Sequence, residues 1–253
     1  NEITEADLEI LERFGKVFEQ SYTRFLDLQK AEAQAREAEI ELALERVRAR
    51  TMAMQHSDEL LDAATLLFQQ IELLGAPSWN CSFNIWDEDK NAATACMSSE
   101  GVIQKPFKIL TTGDPSFVNF YDAYRRGDTF YVEEIGGEAL VSHYRFMRTL
   151  PVVGEVLDGI ISAGFPLPTF QIFHVAFFSQ GYLLFITYEK VPEAHDIFKR
   201  FTTVFEQTYT RFLDLQKAEA QAREAHIEAA LERVRSRSMG MQKSEELKDV
   251  IKI

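Results

Sequence analysis

Two kinds of hydrophobic pattern alternate along the chain. In residues 1–56, and again from 193 onward, apolar residues recur at helical spacing among Ala, Glu, Gln, Lys and Arg. Proline is absent there and each copy has a single glycine, so both segments predict long helices. Between them the period changes. Residues 57–74 carry Leu60, Leu61, Ala64, Leu67, Phe68, Ile71 and Leu74 on one stripe, an amphipathic helix ended by Gly75, Ala76 and Pro77. Residues 79–86 alternate as a strand, 87–91 form a turn, and 92–98 return as the second strand of a hairpin. A short strand is predicted at 105–110, a helix at 115–126, a strand at 129–135 and a helix at 137–150. Residues 169–178 and 182–188 read as two long strands joined by a tight turn at Gln180 and Gly181. The first of these is apolar on both faces, so it belongs in the middle of a sheet covered on both sides. The order predicts an α+β domain built on one antiparallel sheet, with long helices at either end.

The two helices are copies of one another. Residues 13–62 and 200–249 align without a gap at a period of 187, and 39 of the 50 positions are identical. The chain is expected to be a piece of a longer tandem array: a helix over 1–56, a sheet domain over 57–192, and a helix over 193–253 leading into the next repeat. Within a copy the heptad pattern has two runs. Leu11, Phe18 and Phe25 make the first; Ile40, Val47, Met54 and Leu61 make the second. Fifteen residues separate Phe25 from Ile40, one more than two heptads, a slip that relaxes a left-handed supercoil locally. The section holding the slip offers only alanines as apolar residues, with Ala31, Ala35 and Ala38 on one stripe. A helix so poor in apolar surface is marginal alone, and a parallel copy of itself is the simplest partner. Phe18, Phe25, Ile40 and Val47, with Phe205, Phe212, Ile227 and Val234, are therefore expected to line a homodimer seam.

Charge and cysteine narrow the classes. Lys and Arg total 27 against 40 Asp and Glu, a formal net charge of -13. That balance argues against affinity for nucleic acid or anionic lipid, both of which need a positive field. No run approaches the ~18 uninterrupted apolar residues that span a bilayer, and the acidic start is unlike a signal peptide. Cys81 and Cys96 are too isolated for a zinc site or a disulfide framework and read as reduced thiols in or near the sheet. A cytoplasmic location is expected.

The element order resembles a GAF domain, a small sensory module of signalling proteins. The segments LERVRARTMAMQHSDEL and LERVRSRSMGMQKSEEL resemble signalling helices that join sensory domains in bacterial sensor kinases. The whole unit, with FFSQGYLLFIT and EAHDIFKRF, is similar to repeated GAF-like units of multi-domain sensor histidine kinases of Bacteroidetes-type bacteria. The resemblance implies dimerisation through the terminal helices, contact with neighbouring repeats and an output domain, and a small-molecule ligand between the sheet and the opposite helices. It names no cofactor. The marks of cyclic-nucleotide and bilin binders are absent, and haem would need an axial histidine, of which only His143 and His174 are central.

On that implication Tyr121, Tyr124, Tyr131, Glu134, Tyr144, Arg145 and His174 are the candidate ligand-binding residues, because hydroxyls and charges beside an apolar cavity suit a polar-aromatic molecule. The plainer reading makes the aromatics core and His174 a buried, satisfied imidazole. No catalytic constellation, phosphate loop or metal-ligand run appears. His56 has Lys243 as its counterpart, so no role required of every module can rest on it. The expected function is a non-catalytic sensory and relay module; the alternative is a structural spacer without a ligand.

Overall fold

The computed structural model of the chain describes residues 5–240, apart from 77, 79, 100 and 101. The expected helix over 241–253, and Pro77 and Trp79 at the edges of their expected elements, lie outside the described residues. Helix α1 spans Glu5–Ala53 and α6 spans His195–Gly240, each a single unbroken helix, as the proline-free Ala/Glu/Arg-rich composition dictates. Between them run α2 (Leu60–Leu73), β1 (Asn80–Trp86), β2 (Ala92–Ser99), β3 (Val102–Ile103), β4 (Phe107–Leu110), α3 (Pro115–Arg126), β5 (Phe130–Gly136), α4 (Gly137–Met147), α5 (Val153–Ser162), β6 (Phe170–Phe178) and β7 (Gly181–Thr187). The fold is α+β: one antiparallel sheet in the order β3-β2-β1-β7-β6-β5, with β4 also paired to β2, flanked in sequence by the two long helices.

Strand β6 lies between β5 and β7, as its two-sided apolar pattern predicts. The β6–β7 hairpin turns through Ser179 and Gln180, one residue before the expected position, and β7 begins at Gly181, where any Cβ would collide with the carbonyl oxygen of Asn84 on β1; only glycine allows the three strands to close up. Helix α3 starts at Asp114, whose Oδ1 accepts from the Ser116 backbone N–H at 2.9 Å, has proline as its first residue, and ends at left-handed Gly127. Helix α5 was not expected. Its stripe of Val153, Leu157 and Ile160 is hidden from a propensity reading by Gly154 and Gly159 and by the prolines at 151, 166 and 168.

The chain divides into two units, residues 1–46 and 47–253. Among its described residues the first is helix alone, and its apolar residues from Leu8 to Leu28 are exposed. In the second, the sheet is covered on both faces. One face carries Phe83, His174, Phe178 and Phe185, and α6 lies on it: Phe198 stacks on Phe185 with ring centroids 4.2 Å apart, and Phe205 meets Phe83 and Phe178 at 5.1 and 5.4 Å. The other face carries Ala93, Ala95, Phe173, Val175, Tyr182 and Leu184 and packs against α3, α4 and α5 through Phe117, Phe120, Leu140, Met147 and Leu157.

This packing corrects part of the expected seam. Val47 and Phe205, both within the second unit, are buried in the single chain, so they are not presented to a second copy. Phe205 is committed to the sheet. Close to Val47, the Thr51 and Thr208 hydroxyls meet at 2.6 Å where the end of α1 reaches α6. Phe18, Phe25, Ile227 and Val234 remain on the surface, and Phe212 is half-buried.

Candidate functional site

The expected pocket lies on the sheet face opposite α6, and the chain fills it with rings. Trp86 at the end of β1 is surrounded by Tyr121 and Tyr124 of α3 and Tyr182 of β7, with centroids 5.0 to 5.8 Å away. Phe120 continues the cluster to Tyr131, Phe173 and Tyr182 in edge-on contacts. Such T-shaped packing sets the electropositive ring edge on the neighbour's face and holds the layer rigid. A cavity under α5 on this face holds about 30 Å³, lined by Asn80, Met97, Phe107, Val153, Leu157 and Ile160. Sites for small organic molecules are typically ~300–1,000 Å³, so this space takes about a single water.

Polar groups on this face are paired with one another. Glu133 on β5 accepts from Ser116 Oγ at 2.7 Å, Asn119 Nδ2 at 3.1 Å and Tyr131 Oη at 3.0 Å, tying α3 to the sheet edge. The Tyr131 phenol is pushed up to about 12, chiefly by burial and then by that carboxylate. Tyr144 on α4 donates to Gln171 Oε1 on β6 at 2.7 Å, and burial raises its phenol as well. His143 Nδ1 lies 3.1 Å from Asp114 Oδ1, both side chains buried; the same carboxylate caps α3, so one group fastens α4 to the start of α3. Within β1, Asn84 Nδ2 donates to Ser82 Oγ at 3.0 Å. Trp86 Nε1 is buried without a partner among the described residues.

The seven candidate ligand residues do not converge. Tyr121, Tyr124, Tyr131 and Tyr144 are on this face, built into the ring cluster or hydrogen-bonded. Arg145 points outward and is exposed, 4.0 Å from Glu138. Glu134 is exposed and pairs with Lys190 at 2.7 Å. His174 is on the other face, beneath α6. The period of two along β5 and β6 explains the split: Glu134 and His174 are each an odd number of positions from the inward-facing Tyr131 and Phe173.

The surroundings of His174 are those of a satisfied imidazole on one side only. Thr187 Oγ1 donates its one proton to the Glu189 carbonyl at 2.7 Å, so at 2.9 Å it must accept from His174 Nε2–H. That fixes the neutral tautomer with a bare Nδ1, which is buried and has no partner among the described residues. Burial, and then the nearby His195, pull His174 down to about 4. His195, 5.1 Å away, is lowered by burial and by Lys199, partly offset by Glu193. Burial likewise raises the thiols, Cys81 to about 12 and Cys96 to about 11, leaving both as inert core groups.

A larger groove, about 470 Å³ and mostly apolar, opens on the α6 side. It lies among Leu60 and Leu61 of α2, Phe83 and Cys96 of the sheet, and Tyr209 and Phe212 of α6. No local pattern marks it, because it depends on where α6 leaves the sheet. Among the described residues no group of three His, Cys, Asp or Glu side chains could hold a metal ion, and no helix is long and apolar enough to cross a membrane.

No family model matches the chain, and no curated protein matches it significantly. Among solved structures it is similar to the nlh2 GAF domain of A. aeolicus in an inactive state, at 10% identity and a TM-score of 0.42, covering 72% of this chain and 99% of that one. It is also similar to the GAF domain of an Acinetobacter phosphoenolpyruvate-protein phosphotransferase, at 12% identity and a TM-score of 0.40, covering 69% and 93%.

Proposed function

We propose that the chain is a non-catalytic relay module of a bacterial two-component sensor protein, passing changes in its sheet domain to a downstream output domain through α6. The observation that carries this reading is the course of α6. Its first turns are embedded in the core through Ile197, Phe198, Phe201, Val204, Phe205 and Tyr209. The same unbroken helix then runs on to Gly240 with its side chains largely exposed. A helix cannot bend sharply without a proline, an inserted water or a similar break. A displacement of the sheet under Phe198 and Phe205 therefore reappears at the far end, 46 residues of helix being one lever. Besides the Thr51–Thr208 contact, polar groups seat it at three places among the described residues. Glu206 accepts from the Ser179 backbone N–H at 3.0 Å and from its hydroxyl, Arg211 donates to the Met54 carbonyl at 3.2 Å, and Glu219 accepts from Ser57 N–H and Oγ at 2.9 and 2.7 Å. The resemblance of the linkers to signalling helices and the repeat itself support placing such a lever between modules. Where two chains pair in parallel, the surface left to them includes Ala218, Ala222 and Ala225.

The spacer reading has one observation in its favour: the layer opposite α6 is packed with aromatic rings in mutual contact. The two readings differ in mobility. Spin labels on the exposed face of β5 and on α6 near residue 234 report the angle of the lever. The relay reading expects a shifted distance distribution when the seat is loosened by Phe178→Leu or Glu206→Gln. An unchanged distribution in both variants overturns it and leaves a rigid spacer. Native mass spectrometry of the freshly purified chain then asks for a bound small molecule.

A further inference from the structure

The same helical sequence is seen twice, once seated on a sheet and once bare. In α6, Ile197, Phe198, Phe201, Phe205 and Tyr209 are at most 9% exposed, and Phe212 is half-buried. Their counterparts 187 residues earlier are Ile10, Leu11, Phe14, Phe18, Tyr22 and Phe25, and these are between 49% and 71% exposed. We infer that residues 10–25 are the docking strip for the sheet of a preceding domain of this same kind, seated on it as α6 is seated here.

Three observations single out that occupant. The strip is too wide for a coiled-coil seam. Ile10, Leu11, Phe14, Val17, Phe18, Tyr22 and Phe25 cover a broad face of the kind that lies on a sheet, whereas a two-helix seam needs only every third or fourth residue. The rings are already arranged for it: Phe18, Tyr22 and Phe25 are spaced 6.1 and 6.3 Å apart, as Phe205, Tyr209 and Phe212 are at 6.3 and 5.3 Å. The polar contacts recur too, since Glu206, Arg211 and Glu219, which tie α6 to Ser179, Met54 and Ser57, stand where the first copy has Glu19, Arg24 and Glu32. The differences between copies respect the docked face. Buried Thr202 and Thr208 become the smaller Gly15 and Ser21, and the two changes of charge within the strip, Lys16 for Thr203 and Glu12 for Lys199, fall at exposed positions.

The second heptad run shows the reverse. Val47 is buried while its counterpart Val234 is 36% exposed. Each long helix thus serves the domain before it with its first run and the domain after it with its second. The one-residue slip between the runs marks a change of partner, where a single continuous seam would have kept its phase.

A tandem chain tests this: residues 1–199 followed directly by 13–253, which preserves the 187-residue period. Phe18→Cys at the internal copy is expected to resist maleimide as the buried Cys81 does, while Phe18→Cys in the present chain reacts within minutes. Phe14→Ala at the internal copy should lower the tandem's Tm by roughly 10 °C and leave the present chain's Tm unchanged. Equal maleimide reactivity of the Phe18→Cys thiol at the internal copy and in the present chain overturns the inference. So does sedimentation showing that the present chain is a dimer that Phe14→Ala dissociates, since the strip's occupant would then be a second copy of the whole chain.

Discussion

Phe18 and Phe205 occupy the same place in the repeat and opposite environments. One is 71% exposed on a bare helix; the other is sealed between Phe83 and Phe178. The surrounding sequence is closely similar, differing within five residues only at Gly15, Lys16 and Ser21 against Thr202, Thr203 and Thr208, and both segments are helical. What differs is whether a sheet lies alongside. Propensity and pattern decide that the segment is a helix, and the neighbouring layer decides which stripe is core and how much stability each ring contributes.

The sharpest way to break that comparison is to truncate matched positions. Phe198→Ala removes a ring stacked on Phe185 and is expected to cost about 3–5 kcal/mol in chemical denaturation. Leu11→Ala, its counterpart, should stay within about 0.5 kcal/mol in the same chain. Equal losses would mean that the strip is already buried in solution.

Acid probes the seat of α6 differently. His174 is neutral in the fold, held at about 4, whereas unfolded it titrates near its ordinary 6.5. The unfolded chain therefore takes up the proton first. Stability is full above about pH 6.5, falls as pH drops towards 4 and levels below that, by on the order of 3 kcal/mol. His195, with Lys199 and Glu193 beside it, adds in the same direction. His174→Gln keeps a donor towards Thr187 and should flatten the profile between pH 6.5 and 4; an unaltered slope would locate the acid sensitivity elsewhere. The first copy has Leu8 in place of His195, so His195→Leu isolates the contribution special to this copy.

Smaller effects complete the series. Val47→Ala should cost about 2 kcal/mol and Val234→Ala less than about 0.5, read from thermal melts. Smallest, Glu219→Gln should loosen the start of the 57–59 turn, seen as faster amide exchange at Ser57, while Glu32→Gln leaves amide exchange unchanged.

Much of this was readable in the residues. The alternation in β1, the return strand β2, the two-sided apolar run of β6 and the Pro115 start of α3 are local chemistry and appear where the pattern puts them, whereas the β6–β7 turn falls one residue earlier than expected, at Ser179 and Gln180, because Gly181 already pairs with Phe178. Helix α5 was not legible because its two glycines and flanking prolines speak against a helix, and only burial of Val153 and Leu157 against the sheet outweighs them. The candidate site was legible in composition and illegible in geometry. Residue type marked Tyr131, Tyr144 and His174, but strand parity sent His174 to the far face and hydrogen bonds tied Tyr131 and Tyr144 to Glu133 and Gln171.

By itself the sequence determined the two long helices, the antiparallel α+β order, the duplication and the phase slip, because each follows from short-range periodicity or direct comparison of the chain with itself. The tertiary structure alone decided which copy of a repeated stripe is buried, which face of the sheet holds His174, and that the space opposite α6 is filled by rings. Those outcomes depend on which layers meet, and layers meet through residues far apart in the chain, where local pattern carries no information.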